Sequence, residues 1–158
     1  MNLMGRGFRD GYAVANVFDA ARYILEREGP LSAMKLQRLC YYAQAWSLVW
    51  DDEALFPEEF EAWANGPVCR ELYDLHSGKF TFSARDIPEA KLRDGLTENQ
   101  KDTVDRVLAY YGKRDAQWLS ALTHMEAPWK LARRGFSPGE WCPEVISKAS
   151  MAEYYGSL

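Results

Sequence analysis

His124 is the side chain best suited by type to acid–base chemistry. A histidine that acts as a general base needs an orienting partner and a nucleophile within reach. The surrounding segment LTHMEAPW supplies Glu126 but no recognisable nucleophile motif. The structural alternative is a histidine that caps the C-terminus of a short helix by bonding to backbone carbonyls. We favour the structural role and predict no catalytic residue, with an enzyme that uses His124 as acid or base as an alternative.

Metal and phosphate chemistry have little support in the sequence. The cysteines and histidines are scattered and form no CxxC pair: Cys40, Cys69, Cys142, His76 and His124. Such spacing is typical of free thiols in a reducing compartment and not of a zinc site. The Gly-Pro turn at Gly66 is not a phosphate-binding glycine pattern. We therefore predict neither a metal nor a cofactor.

Residues 51–61, the acidic segment, carry six carboxylates and no basic residue. Their spacing lacks the Asp, Asn and Gly offsets of an EF-hand. A run of like charges is commonly a solvated face. The functional alternative is an acidic docking surface that attracts a basic partner. We take Asp51, Asp52 and Glu53 as candidate contacts.

The chain is rich in tryptophan, with six residues in 158. Three occupy inward positions of predicted helices: Trp46, Trp50 and Trp118. The other three stand beside predicted turns: Trp63, Trp129 and Trp141. A ring beside a turn is often half exposed and can anchor an interface. The competing explanation is that these rings pack loops onto the core.

Helices are the main elements that must position these residues. Apolar stripes of helical period predict helices over 13–28, 33–50, near 68–77, over 97–111, from Asp115, over 129–134 and around Met151 to Tyr155. Ser32 is a predicted N-cap, and Thr97 with Gln100 forms a predicted capping box. The polar side chains of the first helix, Asn16 and Asp19 among them, are assigned to its solvent side. Helix 33–50 is apolar nearly all round, which predicts a central helix inside a bundle.

A short strand is the other predicted element. Phe60, Ala62 and Ala64 alternate with the side chains between them, and Leu55-Phe56-Pro57 is the candidate hairpin partner. Gly66-Pro67 is then expected to turn the chain into the next helix. Residues 78–96 are predicted to form a loop with one short strand. The predicted fold class is mainly α: a compact helical domain around a buried central helix, with a small β-hairpin-like element near residues 54–64.

Composition bounds the possible classes of protein. The chain is 47% hydrophobic and 14% aromatic, which disfavours disorder, and its length suits one domain. We expect a flexible tail over residues 1–11, with Met4 as a candidate natural start, and a single domain over 12–158.

The sequence has no secretory h-region and no apolar run of about 20 residues, which predicts a cytoplasmic protein without a membrane partner. The net charge of −4 disfavours nucleic acid as a partner. A helix-turn-helix over 14–50 is also disfavoured, because its second helix is too apolar for a DNA groove.

Three segments, in order, resemble the Panacea domain, also called the SocA-like antitoxin domain. They are MKLQRLCYYAQ (Met34–Gln44), EAWANGPV (Glu61–Val68) and THMEAPWKLAR (Thr123–Arg133). The resemblance extends over nearly all of residues 13–155. Arg38 and Cys40 depart from it, since the family more often has lysine and an aliphatic residue there, and segment 78–96 matches no family pattern.

The resemblance implies an antitoxin that neutralises a cognate protein toxin, encoded by an adjacent gene, by direct binding. It also implies a mostly helical domain with a small β element, often carried on mobile or phage-derived DNA. We expect the partner contacts to combine the acidic segment with two further groups: Trp63, Asn65, Gly66 and Pro67, and then Trp129 and Arg133. A DNA-binding autoregulator of its own operon is an alternative alongside the His124 enzyme.

Overall fold

The fold is mostly helical with two small sheets, which confirms the predicted class. A computed structural model describes residues 14–158; the expected tail over 1–11 lies outside these residues. The helices are α1 (Val17–Glu28), α2 (Ala33–Trp50), α3 (Arg70–His76), α4 (Glu98–Tyr111), α5 (Ala116–Met125), α6 (Ala127–Ala132) and α7 (Lys148–Gly156). The strands are β1 (Leu31–Ser32), β2 (Phe60–Trp63), β3 (Gly66–Val68), β4 (Thr81–Phe82) and β5 (Val145–Ile146).

Helix α2 is the centre of the fold, as its sequence predicts. It packs against α1, α4, α5 and α7, and 12 of its 18 residues are buried. The Ser32 side chain accepts a hydrogen bond from the Lys35 amide at 3.1 Å, which confirms the predicted N-cap. A helix enclosed in this way cannot enter a DNA groove.

Polar side chains of α2 bind backbone groups of the loops that pass over it. Gln44 accepts a hydrogen bond from the Leu55 amide at 2.7 Å and donates one to the Phe56 carbonyl at 2.8 Å. Ser47 donates to the Glu53 carbonyl at 2.8 Å. These bonds satisfy buried polar groups that would otherwise destabilise the core, and they fix the course of residues 53–56.

The hairpin differs from the prediction in its second strand. Strand β2 is the middle strand of a sheet in the order β3-β2-β5, and both neighbours are antiparallel to it. Segment 55–57 forms no strand, because Leu55 and Phe56 are tied to α2. The partner is Gly66–Val68, which the sequence suggested was a turn leading into a helix. Ala64 and Asn65 make the two-residue turn between the strands.

The first helix begins later than predicted because Asn16 caps it. Its side chain accepts from the Asp19 amide at 2.9 Å, and Asp19 accepts from the Asn16 amide at 3.0 Å, which is a capping box. Both side chains are buried, so their assignment to the solvent side is wrong. Asn16 donates to the Lys91 carbonyl at 2.8 Å, and Asp19 accepts from the Arg93 amide at 3.1 Å. The loop that crosses this end of α1 therefore buries them.

Two of the tryptophans predicted to face inward are exposed. Trp50 and Trp118 are 40% and 39% accessible, which corrects the prediction. Each is covered on one face by an arginine: Arg106 lies 4.4 Å from the Trp50 ring centre, and Arg114 lies 4.4 Å from that of Trp118. The stripe pattern could not show this, because both rings stand at helix ends: Trp50 is the last residue of α2, and Trp118 lies in the first turn of α5.

Other local predictions are confirmed. Thr97 and Gln100 form the capping box of α4, Asp115 caps α5, and Pro128 lies in the first turn of α6. Segment 78–96 contains one short strand, β4, which pairs with β1. Within residues 14–158, no helix combines the length and apolar character needed to cross a membrane.

Candidate functional site

The β2–β3 hairpin is held by side chains that donate to its carbonyl oxygens. Arg133 follows α6, and one of its terminal nitrogens donates to the Ala62 carbonyl at 2.8 Å. The other donates to the carbonyls of Ser137 and Glu140 at 2.8 and 2.6 Å. Arg133 is only 6% accessible, so it binds the hairpin and the following loop from inside the protein.

Trp129 and His124 bind the next two carbonyls of the hairpin. The Trp129 indole donates to the Trp63 carbonyl at 2.9 Å. His124 Nε2 lies 2.9 Å from the Ala64 carbonyl oxygen, and its Nδ1 lies 2.6 Å from that of Ser120. The two rings pack edge to face with centres 4.0 Å apart, which holds both in place.

The surroundings of His124 oppose a role as a general base. Both ring nitrogens lie within hydrogen-bond distance of backbone carbonyl oxygens, so neither is directed at a position that a substrate could occupy. Glu126 does not orient the histidine. Its carboxylate points into the core, where it accepts hydrogen bonds from Tyr42 at 2.8 Å and Tyr155 at 2.6 Å. Burial raises the pKa of Glu126. His124 therefore binds backbone carbonyls, as predicted, but those of Ser120 and Ala64 and not the free carbonyls at the end of α5.

Arg38 binds the remaining carbonyls of the hairpin from α2. It donates to Pro67 O at 2.5 Å, to Asn65 O at 2.6 Å and to the Ser120 hydroxyl at 3.1 Å. Its last contact is with the Met34 sulfur at 2.9 Å. Among residues 14–158, no carboxylate forms an ion pair with it. Burial lowers the pKa of Arg38 to about 10, so it remains a cation at neutral pH.

We call these four donors, Arg38, His124, Trp129 and Arg133, the hairpin clamp. They come from α2, α5, α6 and the residue after α6, and they bind carbonyls between Ala62 and Pro67. Gly66 completes the arrangement, because it has φ = +131° and the Arg38 guanidinium occupies the space beside it. Each of the three segments Met34–Gln44, Glu61–Val68 and Thr123–Arg133 therefore contributes either donors or acceptors to the hairpin clamp.

A groove lies beside the clamped hairpin, and we call it the hairpin groove. It has a volume of about 790 Å³ and runs between the start of α2, the hairpin, α3 and residues 77–80. Its lining is mostly apolar. Two rings stand largely exposed at it, Phe80 at 83% and Trp141 at 58%. Arg38 and Lys79 are the charged side chains that line it, with His76 nearby.

The structure divides the predicted contact residues into two places. Six converge at the hairpin: Trp63, Asn65, Gly66, Pro67, Trp129 and Arg133. Asn65 is exposed, Trp63 and Trp129 are half-buried, and the other three are buried. The acidic residues Asp51–Glu53 follow the opposite end of α2. They lie about 20 Å from Arg38 along the helix, at 1.5 Å per residue.

The acidic segment does not form one continuous surface. Asp51 accepts hydrogen bonds from Thr103 at 2.6 Å and from Asn99 at 3.2 Å. Glu58 accepts from the Val17 amide at 2.9 Å, at the N-terminus of α1. Glu61, on β2, forms an ion pair with Arg70 at 3.1 Å. Asp52 and Glu59 are the exposed members: their charges face solvent.

Three residues of the site were not predicted as partner contacts: Arg38, Lys79 and Phe80. Arg38 was foreseeable in part, because an arginine in a helix that is apolar all round must be buried and must find acceptors. The other two lie in a loop without periodicity. Their place beside the hairpin depends on the pairing of β1 with β4, which is a contact distant in sequence.

Comparison with known proteins gives one family. The sequence model of the family described as "Antitoxin SocA-like, Panacea domain" matches residues 36–130. The match covers more than half of the chain and includes most of α2, the hairpin and three members of the hairpin clamp. No curated protein and no solved structure matches the chain significantly.

Proposed function

This chain belongs to the SocA-like antitoxin family with a Panacea domain, and from that premise we propose that it neutralises a cognate protein toxin by direct binding. The family match over residues 36–130 is the observation that carries the proposal. The toxin is expected to be the product of an adjacent gene. The hairpin and its groove are the proposed contact surface, with Trp63 and Asn65 at the exposed end. Gly66, Pro67, Trp129 and Arg133 then act by positioning that surface, and the acidic segment is a separate proposed contact.

The chemistry of the candidate nucleophiles supports binding rather than catalysis. A reactive cysteine needs a lowered pKa and access to substrate. All three cysteines are buried. Burial raises the pKa of Cys69 to about 12 and that of Cys40 well above its ordinary value. Within the described part of the chain, no cluster of three or more His, Cys, Asp or Glu side chains could hold a metal ion.

Co-expression with each adjacent gene tests the proposal. We expect one neighbour to arrest growth alone, and we expect this protein to restore growth and to co-purify with that toxin. An inactive variant of the same toxin controls for indirect effects on expression, since it should still co-purify. Rescue without a complex would point to a degradative or enzymatic route, and the absence of any toxic neighbour would contradict the proposal.

His124→Ala in the same assay separates the antitoxin from the enzyme alternative. If His124 is structural, the variant loses melting temperature and rescue together, because the contact that joins α5 to the Ala64 carbonyl of the hairpin is lost. An enzyme would keep its melting temperature and lose rescue. The DNA-binding alternative would show steeply salt-dependent binding to the upstream region of the operon.

A further inference from the structure

The hairpin groove carries a charge opposite to that of the protein. The chain has a net charge of −4, yet the charged residues that line the groove are two cations, Arg38 and Lys79. Among the described residues, no aspartate or glutamate lines it. A cleft of one sign with apolar walls attracts ligands of the opposite sign.

Arg38 is expected to attract an anion more strongly than Lys79, because it is buried and faces only neutral groups. Three of its contacts are carbonyl or hydroxyl oxygens, and the fourth is the Met34 sulfur. A thioether is a weak acceptor. Met34 also lines the groove and is 38% accessible. A carboxylate in the groove would be a far better partner for this side of the guanidinium, and the flexible Met34 side chain can move aside for it.

The rest of the groove suits apolar side chains. Phe80 and Trp141 expose most of their rings at the groove, and Trp63 and Tyr73 pack edge to face in its wall with ring centres 4.9 Å apart. Exposed aromatic rings beside a concavity are typical anchors of protein interfaces. A volume of about 790 Å³ is that of a small-ligand pocket, so the groove takes a few side chains and not a folded surface.

From these observations we propose that the hairpin groove binds an extended segment of the partner protein that carries apolar side chains and one carboxylate, directed to Lys79 and Arg38. The inference rests on the proposed antitoxin function for the identity of the partner. The carboxylate belongs to an aspartate, a glutamate or the C-terminus of that segment.

Selection of short linear peptides from a phage-displayed library against the full chain tests the proposal. We expect enriched peptides to combine aromatic or aliphatic residues with an acidic residue or a free C-terminus. Lys79→Glu should weaken the best acidic peptide about five- to tenfold, since it replaces a favourable charge with a repulsive one. Phe80→Ala should weaken it about tenfold. Lys113→Glu and Tyr110→Ala, which change an exposed lysine and an exposed tyrosine that do not line the groove, should have no effect.

A charge swap gives the decisive comparison. A peptide whose acidic residue is changed to lysine should bind Lys79→Glu better than it binds the unaltered protein. Enrichment of peptides without carboxylates, equal effects of Lys79→Glu and Lys113→Glu, or no enrichment at all would overturn the proposal. The growth assay separates the two failures: rescue that survives Lys79→Glu and Phe80→Ala contradicts the groove but not the antitoxin. Failure of the unaltered protein to rescue contradicts the antitoxin itself.

Discussion

The guanidinium of Arg38 lies against Gly66 so closely that a Cβ at position 66 would stand 2.6 Å from Arg38 Cζ. This contact joins the central helix to the hairpin, because the same guanidinium binds the carbonyls on either side of Gly66. Two separate constraints therefore require glycine at position 66. Its φ of +131° suits only glycine, and the arginine occupies the space that a side chain would need.

Gly66→Ala is expected to lower the free energy of unfolding by about 3 kcal/mol or more, since backbone strain and displacement of Arg38 act together. Thermal and chemical unfolding followed by circular dichroism measures the loss. Gly78→Ala is the matched control, because Gly78 also has a positive φ, +87°, but among residues 14–158 nothing beyond its chain neighbours lies within 4 Å of the point where its Cβ would stand. It should lose only about 1 kcal/mol. Equal losses would contradict the role of the Arg38 contact.

Arg133→Ala should destabilise the protein strongly, by about 3 kcal/mol, because three buried or partly buried hydrogen bonds to carbonyls are lost together. Arg134→Ala is the control one residue away. Arg134 is exposed, and its replacement should change stability by less than about 0.5 kcal/mol. Unfolding of both variants by denaturant gives the comparison. A stable Arg133→Ala protein that no longer binds the toxin would instead make Arg133 a direct contact.

The hydrogen bond of His76 predicts that the folded protein loses stability as the pH falls below neutrality. Gln37 is fixed in orientation, because it accepts from the Cys69 amide at 2.8 Å and donates to the Cys69 carbonyl at 3.1 Å. Its amide nitrogen therefore donates to His76 Nε2 at 3.0 Å, which requires that nitrogen to be unprotonated. Burial lowers the pKa of His76 from its ordinary value of 6.5.

Protons thus bind the unfolded chain more tightly at this residue than the folded one. Its contribution to stability is complete above about pH 6.5 and falls as the pH drops through that value. Burial raises the pKa of Glu58 and Glu126, and these groups change stability in the opposite direction. The measurement is therefore a difference: the melting temperature of His76→Gln should fall less than that of the unaltered protein between about pH 7.5 and about pH 5.5. Parallel curves would show that His76 is not the titrating group.

The acidic segment is tested through its two exposed members. Asp52→Asn with Glu59→Gln removes charge without touching Asp51 or Glu58, which have partners inside the protein. If this segment attracts a basic partner, the association rate with the inactive toxin should drop about two- to fivefold at low salt and recover at high salt. Asp102→Asn with Glu153→Gln, on α4 and α7, is the control for net charge, because it also removes two exposed carboxylates. Identical rates for all three proteins would leave the acidic segment as a solvated face.

Local features were predictable from the sequence. The caps at Ser32 and Thr97 and the central position of α2 follow from residues close together in the chain, so pattern and propensity were sufficient. The strand partner of β2 was not. Leu55-Phe56-Pro57 and Gly66-Pro67-Val68 both flank β2, and the choice between them depends on Gln44 and Arg38, whose contacts come from another element.

The candidate site was predictable only as a set of segments. The resemblance brought Trp63, Asn65, Gly66, Pro67, Trp129 and Arg133 together, and the structure places them around one hairpin. It could not separate exposed residues from those that hold the hairpin, because that depends on which way each side chain points. Arg133 is an example. An arginine at a helix end is commonly solvated, but here the side chain is buried and donates to three carbonyls.

The hairpin clamp binds the hairpin through main-chain oxygens alone, and every residue type supplies that oxygen. Side chains at Ala64 and Asn65 can therefore change without removing an acceptor from His124 or Arg38. The residues that hold the hairpin and the residues that it exposes can therefore vary independently, as the framework and the loops of an antibody do. A single architecture could diversify its recognition surface by substitution at the turn while its internal hydrogen bonds stay constant.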